Sequence, residues 1–353
     1  MPKNGESAAE RKDDKADKKD DKAEKREWGN KPIVIGGVET NPGETRTFAL
    51  KVSEYPDTTP MRIPIIVVNG RHSGPVLLVN AAVHGDELNG VEIVRQLIFE
   101  VDHSTMRGAL VCVPVVNLPG FLNSTRYLPD RRDLNRAFPG SPNGNLAERI
   151  ASEFFEQVVK KANYCIDLHT AAEGRDNMPH TRADMEKPEV KRIARAFGSR
   201  VLYRQTEGKE GTIFSGTSVG IAEKRGIPAV TVELGGGLVD QRPYVARGVR
   251  GIANILAKLG MTDEEEAEPP EQTVVASIVT LRPRMGGFLE TEAPPLGETI
   301  QEGAVLGRVV SPYTFEELEV IRNPVPDGIM ILSHLTRNVV EPGDYGYMVG
   351  EPA

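Results

Sequence analysis

The chain has 353 residues, of which 39% are hydrophobic and 27% charged, and a formal net charge of −8. That length suits one large domain plus a smaller one, with the composition of an ordinary globular protein. The acidic balance excludes nucleic acid or an anionic membrane as main partner, and no apolar run reaches membrane-spanning length.

Residues 1–27 are almost all Lys, Arg, Asp, Glu and Ala with the two signs balanced, so they read as a disordered, solvated tail. They offer no apolar core for a signal peptide, and the cytoplasm is the expected location. From Pro32 to Val68, alternation between turn signals such as Asn41-Pro42-Gly43 predicts two or three strands, 45–52 and 62–69 among them. The apolar run 76–83 predicts a buried parallel strand that stops at His84-Gly85-Asp86-Glu87. A helix is expected over 88–101 from the spacing of Leu88, Val91, Val94, Leu97 and Ile98, with Glu87 near its first turn. Residues 109–116 form another buried run, leading into a loop over 117–143.

Asn145, with Glu148 three residues on, opens a helix through Ile150, Phe154 and Val158. A short strand over 164–168 runs into Asp167-Leu168-His169, helices are expected at 187–197 and 218–224, a strand at 228–234 and a long helix at 241–259. Strands alternating with helices predict an α/β fold, a largely parallel or mixed sheet flanked by helices, over residues 28–262. The acidic, Pro-bearing stretch 263–272 reads as a linker, and 273–353 as a small all-β domain of short strands between Gly and Pro turns. No lysine follows Lys258, so that domain cannot carry a lysine-linked prosthetic group; a wall or lid over a site is its expected role. Cys112 and Cys165 sit in apolar runs and read as buried free thiols.

An isolated H-x-x-E is weak, since a helix start beside an exposed histidine reads the same. His169 strengthens it by also falling directly after an apolar strand. In open α/β sheets ligands gather at the carboxyl ends of strands, so two imidazoles and one carboxylate converge there. That set matches an open zinc site with water in the fourth position; iron, cobalt and manganese fit it too, calcium and magnesium poorly. Asp133-Leu134-Asn135-Arg136 lies in the loop after the next strand, and Glu233 precedes three glycines. The plainer alternatives are an Arg136 paired with Asp133 or a surface acid, and a Glu233 that serves as a loop carboxylate. His72, His103 and His180 fall in polar loops and read as solvated.

The ordered pieces H-G-D-E, D-L-N-R, D-L-H and V-E-L-G resemble the succinylglutamate desuccinylase/aspartoacylase family, part of the zinc-carboxypeptidase-like group, over about residues 33–259. The resemblance implies a carboxypeptidase-like catalytic fold followed by a barrel-sandwich-like domain, with one zinc per chain on His84, Glu87 and His169. It implies Glu233 as the base that deprotonates the attacking water and passes the proton to the leaving nitrogen. Asn135 and Arg136 would grip a substrate carboxylate, and Asp133 would orient His84. Here the loop is two residues longer than the family's R-Y-x-D-x-D-L-N-R, so the oxyanion arginine is Arg126 or Arg132; the retained Arg-Tyr pair favours Arg126.

The implied activity is zinc-dependent hydrolysis of the amide bond in N-acyl amino acids or similar small carboxylate-bearing substrates, with a zinc carboxypeptidase acting on peptide C-termini as the alternative. A homo-oligomer is compatible with either. Gly216-Thr217-Ser218-Val219-Gly220 also fits G-x-S-x-G, with Asp240 and His334 following in the order of a serine hydrolase. A simpler role for Ser218 is a capping loop before the helix that runs to Lys224. A metal-binding module without turnover is the remaining alternative, against which the presence of Glu233 argues.

Overall fold

The computed structural model describes residues 31–205, 216–239, 241–265, 267, 269–335 and 338–353. The tail at 1–27 and Asp240 lie outside the described residues. Strands β1 (Ile33–Ile35) and β2 (Val38–Thr40) pair with each other and precede β3 (Glu44–Glu54) and β4 (Pro60–Asn69). Then come β5 (His72–Ala81), α1 (Asn89–Glu100), β6 (Arg107–Val113), α2 (Leu118–Leu122) and α3 (Leu146–Gln157). They are followed by β7 (Tyr164–His169), β8 (Arg175–Ala183), α4 (Pro188–Phe197) and β9 (Val201–Arg204). Next are α5 (Ser218–Lys224), β10 (Ala229–Gly235) and α6 (Arg242–Lys258).

From Thr273 every described element is a strand. These are β11 (Thr273–Leu281), β12 (Gly287–Thr291), β13 (Thr299–Ile300) and β14 (Val305–Val310). β15 (Glu317–Arg322), β16 (Gly328–His334), β17 (Asn338–Val340) and β18 (Tyr347–Pro352) complete the chain.

Twelve strands build one mixed sheet in the order β13-β16-β18-β11-β9-β8-β10-β7-β5-β6-β4-β3. In its middle β6, β5, β7 and β10 run parallel. Leu77, Val79 and Ala81 of β5 share one core cluster with Ile93 of α1, Ile193 of α4 and Ile252 of α6. Leu78 belongs to another, with Phe154 of α3 and Val219 of α5. Helices therefore cover both faces, which is why the central strands read as unbroken apolar runs. Each such aliphatic side chain contributes about 1.5–3 kcal/mol by leaving water.

β5 starts earlier than the apolar run suggests and stops at Ala81, where Ala82 takes a left-handed φ of 46° and turns the chain toward His84. Asn145 forms the expected capping box with Glu148. The segment 117–143 is not all loop: Asn117 caps α2, and Asp133 caps a 3-10 turn over Leu134–Arg136. Sequence pattern predicts neither β8 nor β9. β8 reads R-D-N-M-P-H-T-R-A, and Pro179 falls where its register with β10 shifts between Glu233 and Gly235. His180 is consequently a correction: it is fully buried on β8, where neighbouring strands displace the water expected around it. Both cysteines are free and buried, and burial pushes Cys112 up to about 12. Among the described residues no helix is long and apolar enough to cross a membrane.

The strands after Thr273 are bonded into the main sheet. β11 pairs parallel with β9, and β16 pairs antiparallel with β8, Leu332 opposite Asn177. The circuit β8-β9-β11-β18-β16 thereby closes on itself, with Met178, Val201, Val275, Ile329 and Ile331 in one apolar cluster. β15, β14, β12 and β17 form a separate four-stranded sheet. Ending the chain at Gln272 would strip β9 of β11 and the Arg175–Asn177 end of β8 of β16, and uncover Met178 and Val201. Such exposed edges favour aggregation, so a fragment ending there is expected to be insoluble or to melt without cooperativity. Solubility and a thermal scan beside the full chain check this; equal midpoints would contradict it.

Candidate functional site

β5 hands the chain to His84 and Glu87, β7 ends in His169, and Glu233 on β10 is the register partner of His169. All lie at the carboxyl edge of the parallel strands. Gly85 permits the tight loop between them: a Cβ there would lie 1.9 Å from the backbone carbon of Gly120 and 2.1 Å from the Phe121 nitrogen.

His84, Glu87 and His169 are buried, and one donor atom from each falls within 4.8 Å of the others. The two Nδ1 atoms each lie 2.7 Å from a different oxygen of Glu87. Each ring's opposite nitrogen meets another acid: His84 Nε2 is 3.1 Å from Asp133 Oδ1, and His169 Nε2 is 3.1 Å from Asp167 Oδ2. Histidines that ligate a metal are commonly held this way, with one nitrogen on the ion and the other on a carboxylate. Burial opposes charge on Glu87, but His84 and then His169 outweigh it and hold the carboxyl well below its usual range. The set could hold one metal ion.

Asp167 is a member of the site that motif reading missed. It accepts bonds from Asn80 Nδ2 and from the Ser218 hydroxyl, both at 2.6 Å. The signal was present, because residues i and i+2 of a strand share a face and Asp167-Leu168-His169 has that spacing. Ser218, the candidate serine nucleophile, spends its hydroxyl on Asp167, and its N–H donates to Asn135 Oδ1 at 3.2 Å. His334 lies on β16 with Nε2 3.1 Å from the Tyr345 carbonyl.

Arg126 faces the cluster, with Nη1 3.1 Å from Glu87 and Nη2 3.1 Å from Asp133. Arg132 does not: more than half exposed, it pairs with Asp130 at 2.9 Å and lies outside the cavity. Asn135 is buried with Nδ2 3.4 Å from His169 Nε2, and Arg136 donates to the Asn135 carbonyl at 2.7 Å while lining the cavity. Glu233 is held through both oxygens, by Arg182 Nη2 at 3.1 Å and by Asn177 Nδ2 at 2.9 Å. Burial, then the nearby Arg182, pushes His180 down to about 4.

These groups open on a cavity of about 680 Å³, whose far wall includes Arg282, Leu332, Tyr345 and Met348 from beyond Thr273. The Tyr345 ring has the guanidinium of Arg282 over it at 4.1 Å from its centroid and that of Arg175 at 5.4 Å. A larger cavity of about 930 Å³ between α1 and α6 holds none of the metal-site residues or Glu233, so volume alone does not mark the site.

A model of the succinylglutamate desuccinylase/aspartoacylase catalytic domain matches residues 73–259. The N-alpha-acetyl-L-2,4-diaminobutyric acid deacetylase of Halomonas elongata is 30% identical over 257 residues, covering 70% of this chain and 73% of that protein. The succinylglutamate desuccinylase of Paraburkholderia xenovorans is 29% identical over 230 residues, 58% of this chain and 63% of its own length. Among solved structures, the product-bound ectoine utilization protein EutE (DoeB) from Ruegeria pomeroyi superposes with a TM-score of 0.77 at 25% identity, covering 87% of this chain and 95% of that one. A succinylglutamate desuccinylase from Silicibacter sp. TM1040 gives 0.78 at 26% identity, covering 92% and 100%.

The Asp167→Asn variant is expected to weaken metal affinity about 10- to 100-fold with the far-UV spectrum unchanged, as read by metal analysis after dialysis against buffered ion. Gly85→Ala, which drives a methyl into backbone, is expected to cost about 1–3 kcal/mol in denaturant unfolding.

Proposed function

The chain belongs to the succinylglutamate desuccinylase/aspartoacylase family, and on that premise we propose that it is a zinc-dependent amidohydrolase that deacylates N-acyl amino acids or similar small carboxylate-bearing substrates. The observation that supports this most is the buried cluster of His84, Glu87 and His169 with an acid behind each imidazole and Glu233 one strand away. Two imidazoles and a carboxylate fit the three-ligand pattern of a catalytic zinc site. Zinc held there would polarise the scissile carbonyl and bring a water's pKa to about 7.

The remaining work falls to the chain's own groups. Glu233, anchored through both oxygens, takes the proton of the attacking water and returns it to the leaving nitrogen. Arg126 meets the charge that develops on the carbonyl oxygen. Asn135 and Arg136 receive the substrate carboxylate, for which a guanidinium fork is better shaped than an ammonium. Asp133 and Asp167 hold the two imidazoles in place. In this reading residues 28–262 form the catalytic domain, with a carboxypeptidase-like sheet, and 263–272 leads to the β-rich segment 273–353, which walls the cavity and limits substrate size. The names of the two curated relatives, one a deacetylase and one a desuccinylase, support the reaction class.

A screen of N-acetyl, N-succinyl and N-formyl amino acids with the zinc-loaded protein, dipeptides alongside, is the test. Hydrolysis of acyl amino acids that phenanthroline abolishes is expected, while preferential cleavage of dipeptides would make the protein a carboxypeptidase. Glu233→Gln is expected to keep its zinc and lose about 10²- to 10⁴-fold in kcat. Turnover that survives the chelator, or fluorophosphonate labelling of Ser218, would overturn the proposal.

A further inference from the structure

We infer that His180 and Arg182 on β8 are positioning residues that orient the carboxylate of Glu233, His180 acting solely through Arg182. The inference rests on Glu233 being the base. β8 lies antiparallel to β10 with His180 opposite Glu233, so Asn177 and Arg182 flank that carboxylate from one strand. Asn177 Nδ2 donates to Oε2 at 2.9 Å, and Arg182 Nη2 faces Oε1 at 3.1 Å. With a donor from β8 on each oxygen, the plane of the carboxyl group follows the position of β8.

Arg182 is itself fixed at a second point, since its Nε–H donates to His180 Nε2 at 3.2 Å. To accept there, His180 must carry its proton on Nδ1, and Nδ1 lies 2.8 Å from the Met178 carbonyl, which can only accept. The tautomer is therefore determined from both sides. Burial keeps the ring neutral at working pH, so it remains an acceptor. A guanidinium tied at Nε presents Nη2 in one direction, whereas a free arginine would sample many.

The local sequence is costly for a mere scaffold. It buries a histidine completely and places a proline inside a strand. The other edge of β8 is gripped by β9, with Arg182 opposite Tyr203, and by β16, with Asn177 opposite Leu332. Strands from beyond Thr273 thus reach the base through β8.

The experiment uses the zinc-loaded full chain, the N-acyl amino acid turned over fastest, and the variants Arg182→Met, His180→Met, their double and His180→Gln. Each methionine variant is expected to lower kcat about 10- to 100-fold, the scale set by displacing a reacting group by about 1 Å. KM and zinc content should stay unchanged when each variant is assayed well below its own melting midpoint, which the lost buried partner lowers, and the double variant should be no slower than Arg182→Met alone. His180→Gln, whose side-chain oxygen can accept the Arg182 N–H, should retain most of kcat. Losses that multiply in the double variant, a His180→Gln as slow as His180→Met, or an Arg182→Met with full kcat would each overturn the inference, the last even where His180→Met fails to fold. Glu233→Gln separates this from the reading beneath it: if that variant stays active the base assignment falls, and if it is dead beside a fully active Arg182→Met only the positioning role falls.

Discussion

The structure depends on one buried carboxylate. Glu87 is almost wholly removed from water, yet its two oxygens face His84 and His169, its Oε2 accepts the Thr170 N–H at 3.2 Å, and Arg126 approaches Oε1. A charge in that position is tolerable only while its partners stay; removing one partner of a buried pair costs about 3–5 kcal/mol. This constraint propagates into the fold. His84 and Glu87 arrive from the end of β5, and His169 and Thr170 from the end of β7, so the two strands must be neighbours in parallel register, as they are from Leu77 opposite Tyr164 to Ala81 opposite Leu168. A slip of one residue would turn His169 to the opposite face of the sheet.

What could be read from sequence follows from the same physics. Strands buried on both faces must be apolar until they end, so the first polar residues after 76–83 and after the run ending at Leu168 stood out. Those residues are the ones that meet. Asn145 declared α3 because a cap needs a specific side chain at a specific spacing, and the geometry realises it. β8 had no such signature. Of its buried polar residues Asn177 lines the cavity, His180 holds Arg182 and Thr181 bonds Ser199, and its proline sits at a register shift, so both common strand signals are absent. With β8 went Asn177, His180 and Arg182. Between Arg126 and Arg132 the sequence offered only the retained Arg-Tyr pair in favour of Arg126, since spacing along a loop does not say which way a side chain faces. The tight turn at Leu128 to Arg132, with Arg131 at φ 63°, leaves Arg132 on Asp130 and away from the cavity.

The change of texture after Gln272 marks a change in element type, not a break in hydrogen bonding. β11 extends the sheet from β9 and β16 closes onto β8, so strands that look like a separate module from composition share backbone bonds with the part of the chain that matches the family's catalytic domain. The same segment supplies Tyr345 and Arg282 to the cavity wall. Wall and floor are thus held by one continuous set of bonds.

Charge balance ties these parts together. The side chains in contact with the imidazoles, with Glu87 or with Glu233 include four carboxylates, Glu87, Asp133, Asp167 and Glu233, against two guanidiniums, Arg126 and Arg182. With the imidazoles neutral, as metal binding would require, this leaves two negative charges in a region largely closed to water, the complement of one divalent cation. Arg136 adds a third guanidinium beside that balance, close enough to interact with Asp133. It lines the cavity with its guanidinium on a backbone carbonyl, and a carbonyl satisfies a donor without neutralising its charge. In the proposed reading, the carboxylate of an N-acyl amino acid is a further anion that Arg136 would receive from the cavity side.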